Sequence, residues 1–230
     1  MRQDICTIPV SEVFEVKDGC PLCRMHKTVE EHIITYIMGD AMMESDVRIE
    51  TNKIGFCPDH YEKMLGHNGR LQLSLMLGTH IDEIVNNLLK EGLSPQKLSQ
   101  KCEEVKNRCF ICEKINWGEE RMINTILRLY ENEEDFRNLF NSQPHFCFDH
   151  FTALVGKINK KTLKHHGEEM KGKLIAATKE YAAMLSGKLN RYSYMYDYRK
   201  AGSKDFGDSR YSVEESISFL TAGEKGKTEQ

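Results

Sequence analysis

Long hydrophobic runs are missing from this sequence. No apolar stretch approaches the ~18–20 residues that a bilayer-spanning helix needs. The first fifteen residues hold no apolar block behind a basic start, so no secretory leader is expected either. Strong charge of one sign is also missing: 32 Lys and Arg stand against 35 Asp and Glu, for a net charge of −3. The whole molecule therefore offers no global attraction to nucleic acid or to an anionic membrane. No GxxxxGK[ST], GxSxG or HExxH motif and no dinucleotide-binding glycine pattern occurs. These absences make a soluble cytoplasmic protein the expectation and favour a non-catalytic role over an enzymatic one.

What the chain does have is patterned cysteine. Cys20-Pro-Leu-Cys23 and Cys57-Pro-Asp-His60 are followed by Cys109-Phe-Ile-Cys112 and Cys147-Phe-Asp-His150. The CxxC pair advances by 89 positions (20 to 109) and the CxxH pair by 90 (57 to 147), with Phe56 and Phe146 preceding the latter in both copies. One order at one spacing, with matching neighbours, indicates a duplicated half. Zn²⁺ takes four thiolate or imidazole ligands in a tetrahedron, and a structural site draws all four from protein. Two zinc ions, each in a closed Cys₃His shell, are therefore expected on Cys20, Cys23, Cys57, His60, Cys109, Cys112, Cys147 and His150. Iron–sulfur ligation is a less favoured form of the same idea. Disulfides suit a reducing compartment poorly, and a thioredoxin-like CxxC needs a βαβ context that is not evident. The leading expectation is that each ion closes one repeat. The swapped pairing, Cys20 and Cys23 with Cys147 and His150, stays open.

Periodicity reads as all-α: two tandem metal-binding helical repeats packed into one body, with an extended C-terminal tail and a short final helix. The expected divisions are 1–93 (first repeat with an N-terminal arm), 94–190 (second repeat) and 191–230 (tail). Val29, Ile33, Ile37 and Ala41 fall at helical steps after Cys23, and Gly39-Asp40 ends that helix. Ser45 opens a shorter return segment. Both CxxH pairs open helices, and Pro58 suits a first turn. Ile81, Ile84, Val85, Leu88 and Leu89 form an apolar stripe on a helix spanning 71–91, which predicts core. Ser94-Pro95 starts the linking helix. Met122 to Tyr130 and Glu133 to Phe140 repeat the long-helix, short-helix order, and residues 151–190 read as further helix. Tyr192, Tyr194, Tyr196 and Tyr198 alternate, which predicts an extended segment. Ser212 opens a last helix to about Leu220, and 223–230 is expected to be disordered.

Other candidates are weaker. Residues 157–191 hold nine Lys or Arg against three Glu, a local excess able to meet phosphate, although a solvated helix face explains it more simply. Cys6 and Cys102 lie outside the motifs and read as packing or surface thiols. Asp59 and Asp149, inside the CxxH pairs, fit helix capping or support of a ligand better than general-base chemistry. His165-His166 is a poor chelate, because neighbours on a helix point to different faces.

The segments CPLC, VRIETNKIGFCPDH, CFIC, CFDH and YDYR resemble an uncharacterised bacterial family of cysteine-rich proteins, of unknown function and of clostridia-like Gram-positive type, carrying duplicated CxxC…CxxH motifs. The resemblance covers most of the chain. It implies that the chain is one unit but implies no activity. The functional expectation is a zinc-stabilised protein-interaction or regulatory module with an unknown protein partner. The alternatives are a redox-sensitive zinc–thiolate switch, a nucleic-acid-binding protein using 157–191, and a metal-dependent enzyme.

Overall fold

The computed structural model describes residues 8–67, 69–196 and 206–222. Every regular element among them is helical. The α-helices are α1 (Ile8–Glu15), α2 (Pro21–Met38), α3 (Ser45–Ile54), α4 (Pro58–Gly66), α5 (Arg70–Glu83), α6 (Pro95–Lys106), α7 (Phe110–Asn132), α8 (Glu134–Asn141), α9 (Phe148–Lys157), α10 (Gly167–Tyr194) and α11 (Ser212–Leu220). None is long and apolar enough to cross a membrane. Cys6, Tyr198, most of YDYR and the 223–230 end lie outside the described residues.

Two compact units form: Met1–Met25 with Arg121–Gln230, and His26–Glu120. Their boundaries fall inside α2 and α7, whereas the sequence repeat divides at 93/94, inside the second unit. Compactness and repetition thus partition the chain differently.

The first unit is built on aromatic packing. Phe14 of α1 lies 5.1 Å from Phe136 and 5.7 Å from Phe140 of α8. Phe140 also contacts Tyr130 at 5.1 Å and Phe146 at 4.9 Å. The buried Gln143 side chain donates to the Phe14 carbonyl at 2.6 Å, tying α1 to the turn before the second CxxH. Leu154 of α9 and Met170 and Leu174 of α10 complete this core. The second unit has a smaller, mostly aliphatic core of Ile34, Ile37, Met38, Ile54, Met64, Leu73, Met76, Ile111 and Ile115, joined by Phe110, whose ring meets that of Phe56.

Gly55 explains a local feature of the second unit. It ends α3 at φ +69°, a conformation that only glycine adopts without strain. A Cβ there would come within 2.6 Å of the His80 ring. Its carbonyl accepts from Phe110 N at 3.0 Å, which pins the start of α7 beside the turn leading into Cys57.

Three sequence expectations are corrected. The 71–91 helix changes pitch: Leu89 N bonds Ile84 O, and Ile84–Leu88 forms a π turn. Its stripe is not core. Ile81, Val85 and Leu89 are 53–55 % exposed, and no residue of the π turn or of α6 is buried. The 151–190 helix is broken by a loop at 158–166, where Asn159 and Thr162 hydrogen-bond each other's backbone. The tyrosine segment is not extended at 192–194. Helix α10 runs to Tyr194, and the Tyr192 and Tyr196 rings meet at 5.3 Å, with Phe206 against both. Alternating tyrosines mark a strand only when a sheet partner exists, and the described residues contain no strand.

Candidate metal centres

Each ligand pair opens a helix. Cys57 and Cys147 occupy the N-cap positions of α4 and α9 in extended backbone conformation. Cys20 and Cys109 directly precede α2 and α7. In all four pairs the second donor stands three residues on, where a first turn brings it back over the cap, as in a capping box. The helices then propagate, with Arg24 N bonding Cys20 O, Tyr61 N bonding Cys57 O, Glu113 N bonding Cys109 O and Phe151 N bonding Cys147 O.

The eight donors gather into two sets of four. In the first unit these are Cys20, Cys23, Cys147 and His150, and in the second Cys57, His60, Cys109 and Cys112. Within each set the donor atoms lie within 4.8 Å of one another. The leading within-repeat pairing is therefore overturned, and the swapped pairing is the one observed. The reason is reach. Helix α2 carries the chain ~27 Å outward over its 18 residues, at ~1.5 Å each. The return is mostly the ten-residue α3, which recovers only ~15 Å. An extended return would have recovered about twice that. The CxxH of Cys57 and His60 therefore meets the middle of α2, where Glu30 contacts His60, and the CxxC of α7 completes its set.

Distances suit a tetrahedron whose edges, from Zn–S ≈ 2.3 Å and Zn–N ≈ 2.0–2.1 Å, are about 3.5–3.8 Å. In the first unit Cys23 Sγ is 3.5 Å from Cys147 Sγ. His150 Nδ1 lies 3.7, 3.3 and 3.0 Å from the sulfurs of Cys20, Cys23 and Cys147. In the second unit Cys57 Sγ is 3.9 Å from Cys112 Sγ. His60 Nδ1 lies 3.0, 3.3 and 3.4 Å from Cys57, Cys109 and Cys112. Both imidazoles thus present Nδ1 to the thiols.

Burial differs between the two. In the first set only Cys23 is half-buried, whereas in the second both Cys57 and Cys112 are. Burial alone would raise the Cys109 thiol, but hydrogen bonds from His60, from the Cys112 and Cys57 backbone and from the Cys112 thiol together outweigh it and hold the group down at about 6. Burial would lower His60, yet its contacts with Cys109, Glu30 and Cys57 push it up to about 10. Cys23 is pushed far up by the neighbouring Cys147 and Cys20 sulfurs. Each set therefore shares protons that a divalent cation would displace. With three thiolates around M²⁺ such a centre would carry −1, which the N–H groups of two helix N-termini per set would ease.

Glu30 was missed in the sequence. It is 7 % exposed and accepts from His60 Nε2 at 3.0 Å and Lys63 Nζ at 2.6 Å. A signal was available: Glu30 precedes His60 by thirty positions, and Glu120 precedes His150 by the same interval. Asp59 and Asp149 sit in the first turns of α4 and α9, where a carboxylate favours the helix dipole. Cys102 is half-buried in α6, outside both sets.

A family model described as a family of unknown function, DUF6062, matches residues 1–227. No curated protein and no solved structure matches the chain.

Proposed function

We propose, for a chain that belongs to the DUF6062 family of unknown function, that each Cys₃His set holds one zinc ion as a closed structural centre, and that the metallated protein acts by binding a protein partner in the cytoplasm. One observation carries this reading: eight donors from four helix starts gather as two complete sets of four. A shell filled by protein keeps no position for a substrate or a catalytic water. Zinc is preferred to an iron–sulfur cluster because a cluster sets several atoms between its cysteines and spreads them further apart than these donors stand.

The partner is expected to be protein. Leu71, Leu75, Ile81, Val85 and Leu89 lie 48–70 % exposed along one stretch of helix, an apolar face of the kind that mediates association. The basic 157–191 segment is less suited to phosphate, because Lys171, Lys188 and Arg191 are engaged by Glu168, Glu215 and Asp208.

Elemental analysis of protein purified without added metal tests the centre: about two zinc per chain supports it, and a brown iron–sulfur chromophore rejects it. Cys57→Ser and Cys147→Ser should each lower zinc content and melting temperature together, because ligation free energy is folding free energy. Unchanged stoichiometry in both variants would count against the reading.

A second reading is a thiolate switch, favoured by the half-exposure of Cys57 and Cys112, whose sulfurs stand 3.9 Å apart. Peroxide would take two electrons from such a thiolate pair, forming a disulfide and water and releasing the ion. No zinc release at mild peroxide excludes it.

A further inference from the structure

Helix α2 turns Glu30, Ile34, Ile37 and Met38 inward, each at most 7 % exposed. Three of the four are aliphatic or thioether side chains in the core of the second unit. The fourth is a carboxylate at a position where the helical pattern calls for another apolar residue. A buried carboxylate is costly unless it is paired, and departures of this kind concentrate at functional sites.

The pairing is specific. Glu30 Oε1 lies 3.0 Å from His60 Nε2, on the side of the ring opposite Nδ1, which faces Cys57, Cys109 and Cys112. Lys63, one turn after His60 on α4, reaches the same oxygen at 2.6 Å and keeps its own stem half-exposed. Only one imidazole tautomer can coordinate through Nδ1: the one that carries its hydrogen on Nε2. A carboxylate at Nε2 selects that tautomer and fixes the plane of the ring.

We propose that Glu30 is a positioning residue of the second unit's metal centre, holding His60 as the Nε2–H tautomer with Nδ1 turned toward the ion, while Lys63 holds the carboxylate in place. This rests on the metal-binding reading of that centre. The sequence supports it independently, since the thirty-residue interval from Glu30 to His60 recurs from Glu120 to His150. A core-filling role would need no acid at position 30, where the side chain is buried.

The test is a competition titration of the full chain with a chromophoric zinc chelator, with Cys57→Ser identifying which of the two ions belongs to the second unit. Glu30→Gln keeps the size and an acceptor oxygen and loses the charge. It should weaken that ion by about 10–100-fold, as loss of a carboxylate behind a metal-bound histidine does, and leave the other ion at its wild-type affinity. Glu30→Asp, which keeps the charge and loses the reach, should give the same one-ion loss and serves if the Gln variant does not fold. In a His60→Cys background, where a thiolate replaces the ring, Glu30→Gln should have no further effect. Wild-type affinity for both ions in Glu30→Gln overturns the proposal, and so does an undiminished loss in the His60→Cys background, which would mark Glu30 as merely structural. Wild-type protein that binds no metal overturns the metal reading itself, and Glu30's role with it.

Discussion

The two units carry the same donor set in different surroundings. Of the twelve largest fully buried side chains, nine belong to the first unit: Phe14, Ile126, Leu127, Leu129, Tyr130, Phe136, Phe140, Phe146 and Leu154. Only Ile37, Met64 and Ile111 belong to the second. The first unit seats Phe14 of α1 under α8 and brings α11 against α9 and α10. In the second, α6 touches the π turn and buries no residue. A larger buried core holds a fold with less help, whereas a thinner one leans more on whatever crosslinks it. A structural ion in the second unit should therefore matter more to its folding than the equivalent ion does in the first.

Metal removal should give the largest effect. Ligation in small zinc domains is worth about 10–16 kcal/mol, which is as large as the whole stability of an ordinary domain. Chelation should release the amides of α3 and α4 to rapid hydrogen exchange while those of α7 from Ile126 to Leu129 and of α8 stay protected. Uniform loss of protection across both units would break the comparison, and uniform retention would remove the ion as a staple altogether.

Next come cavities. Phe140→Ala removes a ring that touches Phe14, Tyr130 and Phe146, and should cost the first unit about 3–5 kcal/mol in chemical denaturation. Met64→Ala, in the fully buried heart of the second unit, should cost about 2–5 kcal/mol. The comparison predicts that Met64→Ala unfolds its unit once zinc is chelated, and that Phe140→Ala depends much less on the metal. Equal metal dependence of the two variants would show that the cores are equally sufficient.

How far these differences can be read from the residues varies. The donors were legible because a metal shell constrains residue type and spacing together, and duplication shows the pattern twice. The all-helical class followed from apolar steps of three and four, and the helix starts from Ser94, Pro95 and Pro58, where cap chemistry is local. The pairing of the ligands was not local. It depends on whether residues 45–54 return extended or helical, a difference of about twofold in reach that decides which CxxC meets Cys57. Glu30 escaped because one of two adjacent glutamates on a helix looks like surface until a histidine from another helix arrives beside it. Tyr192 and Tyr194 misled because alternation says nothing about whether a partner strand exists.

The smallest expected effect comes from the stripe that periodicity placed in the core. Ile81, Val85 and Leu89 follow helical spacing as closely as Leu73 and Met76 do, yet the latter are 5 % and 3 % exposed and the former 53–55 %. Spacing reports that one helix face is apolar and does not report what covers it. Replacement of Val85 or Leu89 by Ser should change the stability of the second unit by no more than about 0.5 kcal/mol, the range of ordinary surface substitutions, because neither side chain leaves a cavity. The same change at Leu73 should cost several times more, since it both opens a void and buries a hydroxyl. Thermal melts of the zinc-loaded chain at one concentration compare the three directly. A loss at Val85 or Leu89 as large as that at Leu73 would mean that the stripe is covered in solution. If that loss shrinks on dilution, the cover is a second molecule; if it does not, the cover lies within the chain.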